Sequence, residues 1–201
     1  MKRALVLALA MLFVCSAANA GFPYVGLYAG ILDPDTGIEG PGGADRSQCG
    51  VFVAAPFTEI NMWIWWYNPD LGLNSVEFKI VYPPSTSVGQ EGVTPNPLIV
   101  AEIGNLPNGI ASTCGELQCQ HDWFWSHQQL LLIKKMTPIG IIQIVQDPVL
   151  SSPPFAVLIA SCELGSPPYA CTILDNLGIN QNCEIAVQDK SWGAIKSLYN
   201  E

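Results

Sequence analysis

Trp63, Trp65 and Tyr67 stand at alternate positions of one stretch, and Trp123 and Trp125 at alternate positions of another, in a chain with six tryptophans. Alternation places each set on one face of a strand. Coplanar Trp and Tyr rings present apolar faces with hydrogen-bonding edges, on which a sugar ring or a partner's side chain can stack. A strand covered on both faces shows the same letters, so core or subunit-interface packing stands beside ligand stacking as the alternative.

Other constellations are sparser. A Ser or Cys nucleophile draws on a histidine base, and the chain holds only His121 and His127, with no G-x-S-x-G elbow. If both lie on one strand, six residues separate them by ~20 Å, too far for a shared metal, so partly exposed strand histidines are expected. Glycoside hydrolysis needs two carboxyl groups in register across a site. Glu59, Glu77 and Glu102 fall on strand candidates without a pattern that pairs them. Asp33, Asp35, Gly37 and Glu39 spell D-x-D-x-G-x-E, three carboxylates in one loop as Ca²⁺ would require, although Gly37 replaces a ligand of the EF-hand order. The competing reading of Asp33, Asp35 and Glu39 is a turn with solvated acids. The expectation is no catalytic residue and no cofactor beyond this weak calcium candidate.

The chain opens with Lys2 and Arg3, an apolar run from Ala4 to Val14, and Ala18-Asn19-Ala20. That order predicts a signal peptide over residues 1–20, cleaved near Ala20, and a periplasmic or secreted, extracellular protein. Lipidation at Cys15 is the alternative, less suited because Val14 precedes it. The remaining six cysteines, Cys49, Cys114, Cys119, Cys162, Cys171 and Cys183, contain no C-x-x-C pair. An even count in an exported chain predicts disulfides, with Cys114–Cys119 and Cys162–Cys183 as the local pairings suggested by spacing. Removing Lys2 and Arg3 from the eight basic residues leaves six against 17 acidic ones, a formal charge of −11. Nucleic acid and anionic membranes are poor partners for such a chain, and no later apolar run is long enough to span a bilayer.

Charged residues make up 12% and hydrophobic ones 49%, with 18 glycines and 16 prolines, which favours short strands between frequent turns. Strands are predicted over 25–32, 58–67, 76–82, 98–103, 122–133, 139–145 and 155–161, with shorter ones at 173–174 and 184–187. On the second of these, alternation turns Ile60, Met62, Ile64 and Trp66 inward. Eight or nine strands without a long amphipathic helix predict an all-β antiparallel β-sandwich over residues 21–190, a barrel being the runner-up. A short C-terminal helix is predicted over 191–201, with Ser191 as its cap and Trp192, Ile195, Leu198 and Tyr199 on one face.

The run "PFTEINMWIWWYNPDLGLNSVEFKIVYP" from Pro56 to Pro83, with "VGLYAG", "HDWFWSHQQLLLI" and "SWGAIKSLYNE", resembles secreted bacterial immunoglobulin-like and cohesin-like sandwiches of uncharacterised function. The resemblance implies a β-sandwich and carries no catalytic motif. Together with the aromatic positions it sets the expectation of a non-enzymatic binding module, taking a glycan, surface polymer or protein. A structural or self-assembling envelope component is the alternative, and a small secreted hydrolase a distant third.

Overall fold

The computed structural model describes residues 23–115, 118–146, 157–163 and 165–183. Among these residues the regular structure is strand throughout. One sheet has the order β12-β1-β3-β8-β5, built from β1 (Tyr24–Ile31), β3 (Thr58–Tyr67), β5 (Val88–Pro95), β8 (Phe124–Ile133) and β12 (Thr172–Asp175). The other runs β11-β10-β4-β9-β13-β2, from β2 (Gly50–Val51), β4 (Ser75–Val81), β9 (Gly140–Val145), β10 (Leu158–Ala160), β11 (Tyr169–Ala170) and β13 (Leu177–Ile179). To β4 are added β7 (Gly109–Cys114) and, outside it, β6 (Ile99–Asn105). The protein is an all-β sandwich.

The two inner faces explain the packing. Ile60, Met62, Ile64 and Trp66 of β3 are all sealed from solvent, as the period-two pattern predicts, and so are Val25, Leu27 and Ala29 of β1. Opposite them lie Phe78 and Ile80 of β4, Ile142 and Ile144 of β9, and Leu177 and Ile179 of β13. Each large apolar side chain removed from water contributes roughly 1.5–3 kcal/mol, so the inward residues of β3 alone outweigh any surface ion pair.

Pairing is antiparallel, as expected of the sandwich, with two parallel exceptions. β12 runs parallel to β1, and β13 runs parallel to β2. The chain passes from one sheet to the other at Asn176, whose buried Oδ1 accepts a hydrogen bond from the Ile144 N–H at 3.2 Å. β12 thereby covers an edge of the first sheet while β13 joins the second. The segments 184–187 and 191–201, with the expected last strand and C-terminal helix, lie outside the described residues.

Two disulfides join distant segments. Cys49 bonds Cys183 across 134 residues, and Cys119 bonds Cys162 across 43. The local pairings Cys114–Cys119 and Cys162–Cys183 are therefore corrected, because each bridge ties loops that the sandwich brings together rather than neighbours in sequence. Cys114 and Cys171 carry free thiols, both buried, and burial raises the pKa of each. A thiol reagent should accordingly find neither group in the native protein, and should find both after denaturation without reductant, in addition to Cys15 if the leader is retained. Recovery of no thiols from Cys114 and Cys171 in denaturant would show that they too are oxidised.

Candidate binding surface

The outward positions of β3 are Glu59, Asn61, Trp63, Trp65 and Tyr67, and the antiparallel register sets Trp65 opposite Trp125 of β8. The structure thus brings both predicted aromatic sets into one cluster on the outer face of the first sheet. Trp63 meets Trp125 edge-on, with ring centroids 4.8 Å apart at 88°. Tyr67 stacks on Trp123 at 4.9 Å, and Tyr24 of β1 continues the row at 6.4 Å from Tyr67. Trp63, Trp65, Tyr67, Trp123 and Trp125 are each half-buried, in contrast to Trp66 on the inner face.

The loop between β1 and β2 crosses this face. Asp45 Oδ1 accepts from the N–H groups of Gly42 at 3.1 Å and Ser47 at 2.9 Å, closing a tight loop. Gly43 must lack a side chain, since a Cβ there would overlap Trp63 Cδ1. The Trp65 indole donates to the Gly43 carbonyl at 2.7 Å, and the Trp63 indole donates to Glu39 Oε2. Arg46 has φ 61°, a left-handed conformation uncommon outside glycine. Its guanidinium lies 4.1 Å from the Trp123 ring centroid and 5.3 Å from that of Trp65, within cation–π range. Glu39 and Arg46 were not legible as partners of this cluster, because a loop residue's landing place depends on the turn that delivers it, and Tyr24 was not because its neighbours depend on which strand β1 pairs with.

The three carboxylates of the calcium candidate are placed apart in role. Asp33 Oδ1 accepts from the N–H groups of Asp35 at 2.8 Å and Thr36 at 2.9 Å, an Asx turn, and these bonds lower the Asp33 pKa. Asp35 is exposed. Glu39 turns back onto the sheet and accepts from Trp63 and from Ala44 N–H at 3.0 Å, with its pKa raised by burial against these hydrogen bonds. Among the described residues, the donors lying within 4.8 Å of one another are those of Cys49, Asp175 and Cys183, two of which form a disulfide.

Both histidines depart from the expected exposed strand positions. His121 is outside the strand, its Nε2 3.1 Å from Cys119 Sγ. His127 is completely enclosed, because a bulge in β8 shifts the register by Trp65 and turns Ser126 and His127 both inward. Burial lowers the His127 pKa, outweighing the opposing effect of Glu102, so the imidazole is neutral. Its hydrogen bonds then have one consistent direction. Trp66 Nε1–H donates to Ser126 Oγ at 2.8 Å, and Ser126 donates to His127 Nδ1 at 2.9 Å. His127 Nε2–H donates to Glu102 Oε1 at 2.6 Å, which also accepts from Ser112 Oγ at 3.2 Å. Serine, histidine and glutamate are in contact, yet Ser126 is sealed and its oxygen is already bonded to Trp66, so no substrate carbonyl can approach it.

No protein-family model and no curated protein matches the sequence. Among solved structures, the chain is similar to the seventh ScaB type I cohesin from Pseudobacteroides cellulosolvens, at 13% identity, over 85% of this chain and 98% of that one, with a TM-score of 0.47. It is similar also to a chain of the Coh-OlpC-Doc435 cohesin–dockerin complex from Clostridium thermocellum, at 12% identity over 80% and 94%, TM-score 0.49. A third is the structure of the sixth cohesin from Acetivibrio cellulolyticus scaffoldin B with a Cel5 dockerin, at 10% identity over 81% and 99%, TM-score 0.47. The likeness is one of general build, and the sandwich itself is read from the strand pairings above.

A neutral, buried imidazole has a definite consequence for pH dependence. The folded-state pKa of His127 lies below the ordinary value of about 6.5, so the unfolded chain binds the proton first. Stability should be full above that value and fall as the pH drops from it toward the folded-state value. Urea midpoints between pH 7.5 and 5 should show this slope in the native sequence and its loss in His127→Gln, which should also be about 1–3 kcal/mol less stable at pH 7.5. An equal slope in both proteins would mean that His127 does not titrate as a buried neutral group.

Proposed function

We propose that the protein is a non-enzymatic, exported binding module that holds a protein partner on the aromatic face of its first sheet. The observation that carries the reading is Arg46, held in a left-handed backbone conformation over Trp65 and Trp123. Such a conformation costs on the order of 1–3 kcal/mol in a residue with a side chain, and it is retained where something else depends on it. Here it sets a cation among Trp63, Trp65, Tyr67, Trp123 and Trp125, with their ring surfaces partly open. Tryptophan, tyrosine and arginine are the side chains that concentrate binding energy at protein interfaces. A glycan is less well served, because the Trp63 and Trp65 indole donors are already bonded within the chain.

The export reading rests on the Lys2–Ala20 pattern and accords with two long-range disulfides. No helix among the described residues is long and apolar enough to cross a membrane. Self-assembly through the edges that β5 and β6 present is disfavoured by those edges themselves. β5 carries a bulge, Glu91 and Pro95, and β6 carries a bulge, Glu102 and Gly104, all of which impede strand-to-strand pairing.

A screen of the cleaved chain against envelope proteins and glycans should yield a protein ligand. Trp125→Ala and Tyr67→Ala should each weaken its binding by roughly 2 kcal/mol, near 30-fold, while Arg46→Ala reduces it further at low salt. Their melting temperatures should fall far less than that of Trp66→Ala, whose buried ring costs about 3–5 kcal/mol to remove. If Trp125→Ala is as damaging as Trp66→Ala and binding is unchanged, the aromatic cluster serves packing alone.

A further inference from the structure

Of the nine large apolar side chains exposed among the described residues, Val93, Val100 and Ile103 lie on the strands β5 and β6, and the other six gather in one place. Ile31, Ile38, Phe52, Phe57, Val81 and Met136 lie at one end of the sandwich, where β1, β4 and β8 finish and β3 and β5 begin. The register confirms the placement, since Thr58 and Val88 both pair with Ile133 and Ile31 pairs with Ile60. The buried Asn180 side chain pins the loops of this end together. Its Oδ1 accepts from Val53 N–H at 2.9 Å, and its Nδ2 donates to the Lys135 and Thr137 carbonyls at 2.8 and 3.2 Å.

Between the β1–β2 and β2–β3 loops runs a cleft of about 440 Å³, lined by Ile31, Leu32, Pro34, Pro56, Phe57 and Glu59 among others. A hollow of about 460 Å³ adjoins it, sharing Ile31, Leu32 and Pro34 and adding Asp33 and Ile38. Phe57 is 69% exposed and Ile38 68%, and Phe57 has φ 61°, an outlier for a bulky residue. The turn that presents it is braced by Thr58 Oγ1–H donating to the Ala55 carbonyl at 2.7 Å. Strain that keeps a phenyl ring in water points to a use for that ring. Carboxylates stand on both sides, Asp33 and Glu59, and neither lining contains a cation.

We propose that this end of the sandwich is a docking site for a cationic, apolar-anchored segment of another protein. An aliphatic or aromatic anchor enters between Ile31 and Phe57, and its Lys or Arg neighbours meet Asp33 and Glu59. The charge selects this occupant over others. A second copy would bring an identical acidic rim and a net charge of −9 against the first, and an anionic lipid surface would be repelled in the same way. The site adjoins the aromatic face through Glu39 and Glu59, but none of Trp63, Trp65, Tyr67, Trp123 and Trp125 lines it.

The test uses the full chain and a short labelled peptide of leucine and lysine in amphipathic order, followed by fluorescence anisotropy. Its leucine–glutamate counterpart and neutral phosphatidylcholine vesicles are the comparison probes. The leucine–lysine peptide should bind saturably with one-to-one stoichiometry, and the other two probes should not. Ile38→Ser and Phe57→Gly should each weaken binding about tenfold or more. Glycine accepts the left-handed backbone without strain, so Phe57→Gly should melt no lower than the native sequence, and its loss of binding cannot be ascribed to misfolding. Asp33→Asn should weaken binding severalfold and flatten its salt dependence, and Trp125→Ala should leave it unchanged. Undiminished peptide binding by Phe57→Gly would overturn the proposal in favour of diffuse attraction to an acidic protein. Binding of the vesicles in place of the peptide, or a concentration-dependent dimer that Phe57→Gly abolishes, would overturn it in favour of a lipid surface or a second copy.

Discussion

Buried donors and acceptors in an apolar sandwich must find partners within the protein, and one polar chain, running from the sealed Trp66, Ser126 and His127 out to the partly exposed Glu102 carboxylate, meets that requirement. Trp66 and Ser126 belong to the first sheet, Ser112 and Glu102 to the second, and His127 spans the gap between them. Water cannot replace a missing partner at Trp66, Ser126 or His127, so one lost group there strands the next, whereas the Glu102 carboxylate also faces solvent. The bulge in β8 supplies two consecutive inward residues where a regular strand supplies one. Phe78 closes the other side, edge-on to His127 at 5.6 Å and tilted against Trp66 at 5.4 Å. The network therefore specifies how the sheets face each other, while the surrounding aliphatic side chains provide most of the driving force.

The same bulge shapes the outer face. It keeps Trp125 outward opposite Trp65 while the residues after it return to inward–outward alternation. The loop from Glu39 to Gln48 is laid over these rings by the indole donors of Trp63 and Trp65, and its return is fixed by the Ala29 N–H donating to the Gln48 carbonyl at 3.0 Å. A flat aromatic sheet is thereby converted into a contoured surface with one cation at its centre. At the end of the sandwich a different surface forms from loops and the adjoining ends of β1 and β3, apolar in its floor and acidic at its rim.

Legibility in the sequence follows burial asymmetry. β3 and β4 alternate cleanly because one face is dry and the other wet, and both were readable almost to the residue. β5 was missed because its last six residues are exposed on an edge and carry no apolar rhythm. β7, with small residues from Gly109 to Cys114, and the two- and three-residue strands β2, β11 and β13 left too little pattern to detect. The aromatic residues were identifiable by type and spacing, whereas Arg46 and Glu39 were not, since nothing local ties a loop residue to a ring on another strand.

The sequence by itself determined the sandwich class, the inward set of β3 and the outward phase of Trp63, Trp65 and Tyr67, because a period of two is a local property of the chain. It determined also the cysteine inventory and the acidic balance, which are matters of composition. Tertiary structure alone decided which cysteines pair, that His127 is enclosed and neutral, and that the two aromatic sets meet around Arg46. Those outcomes depend on sheet order, on a one-residue bulge and on where loops land. Each brings together groups far apart in sequence, and their energies exist only once the two sheets have closed.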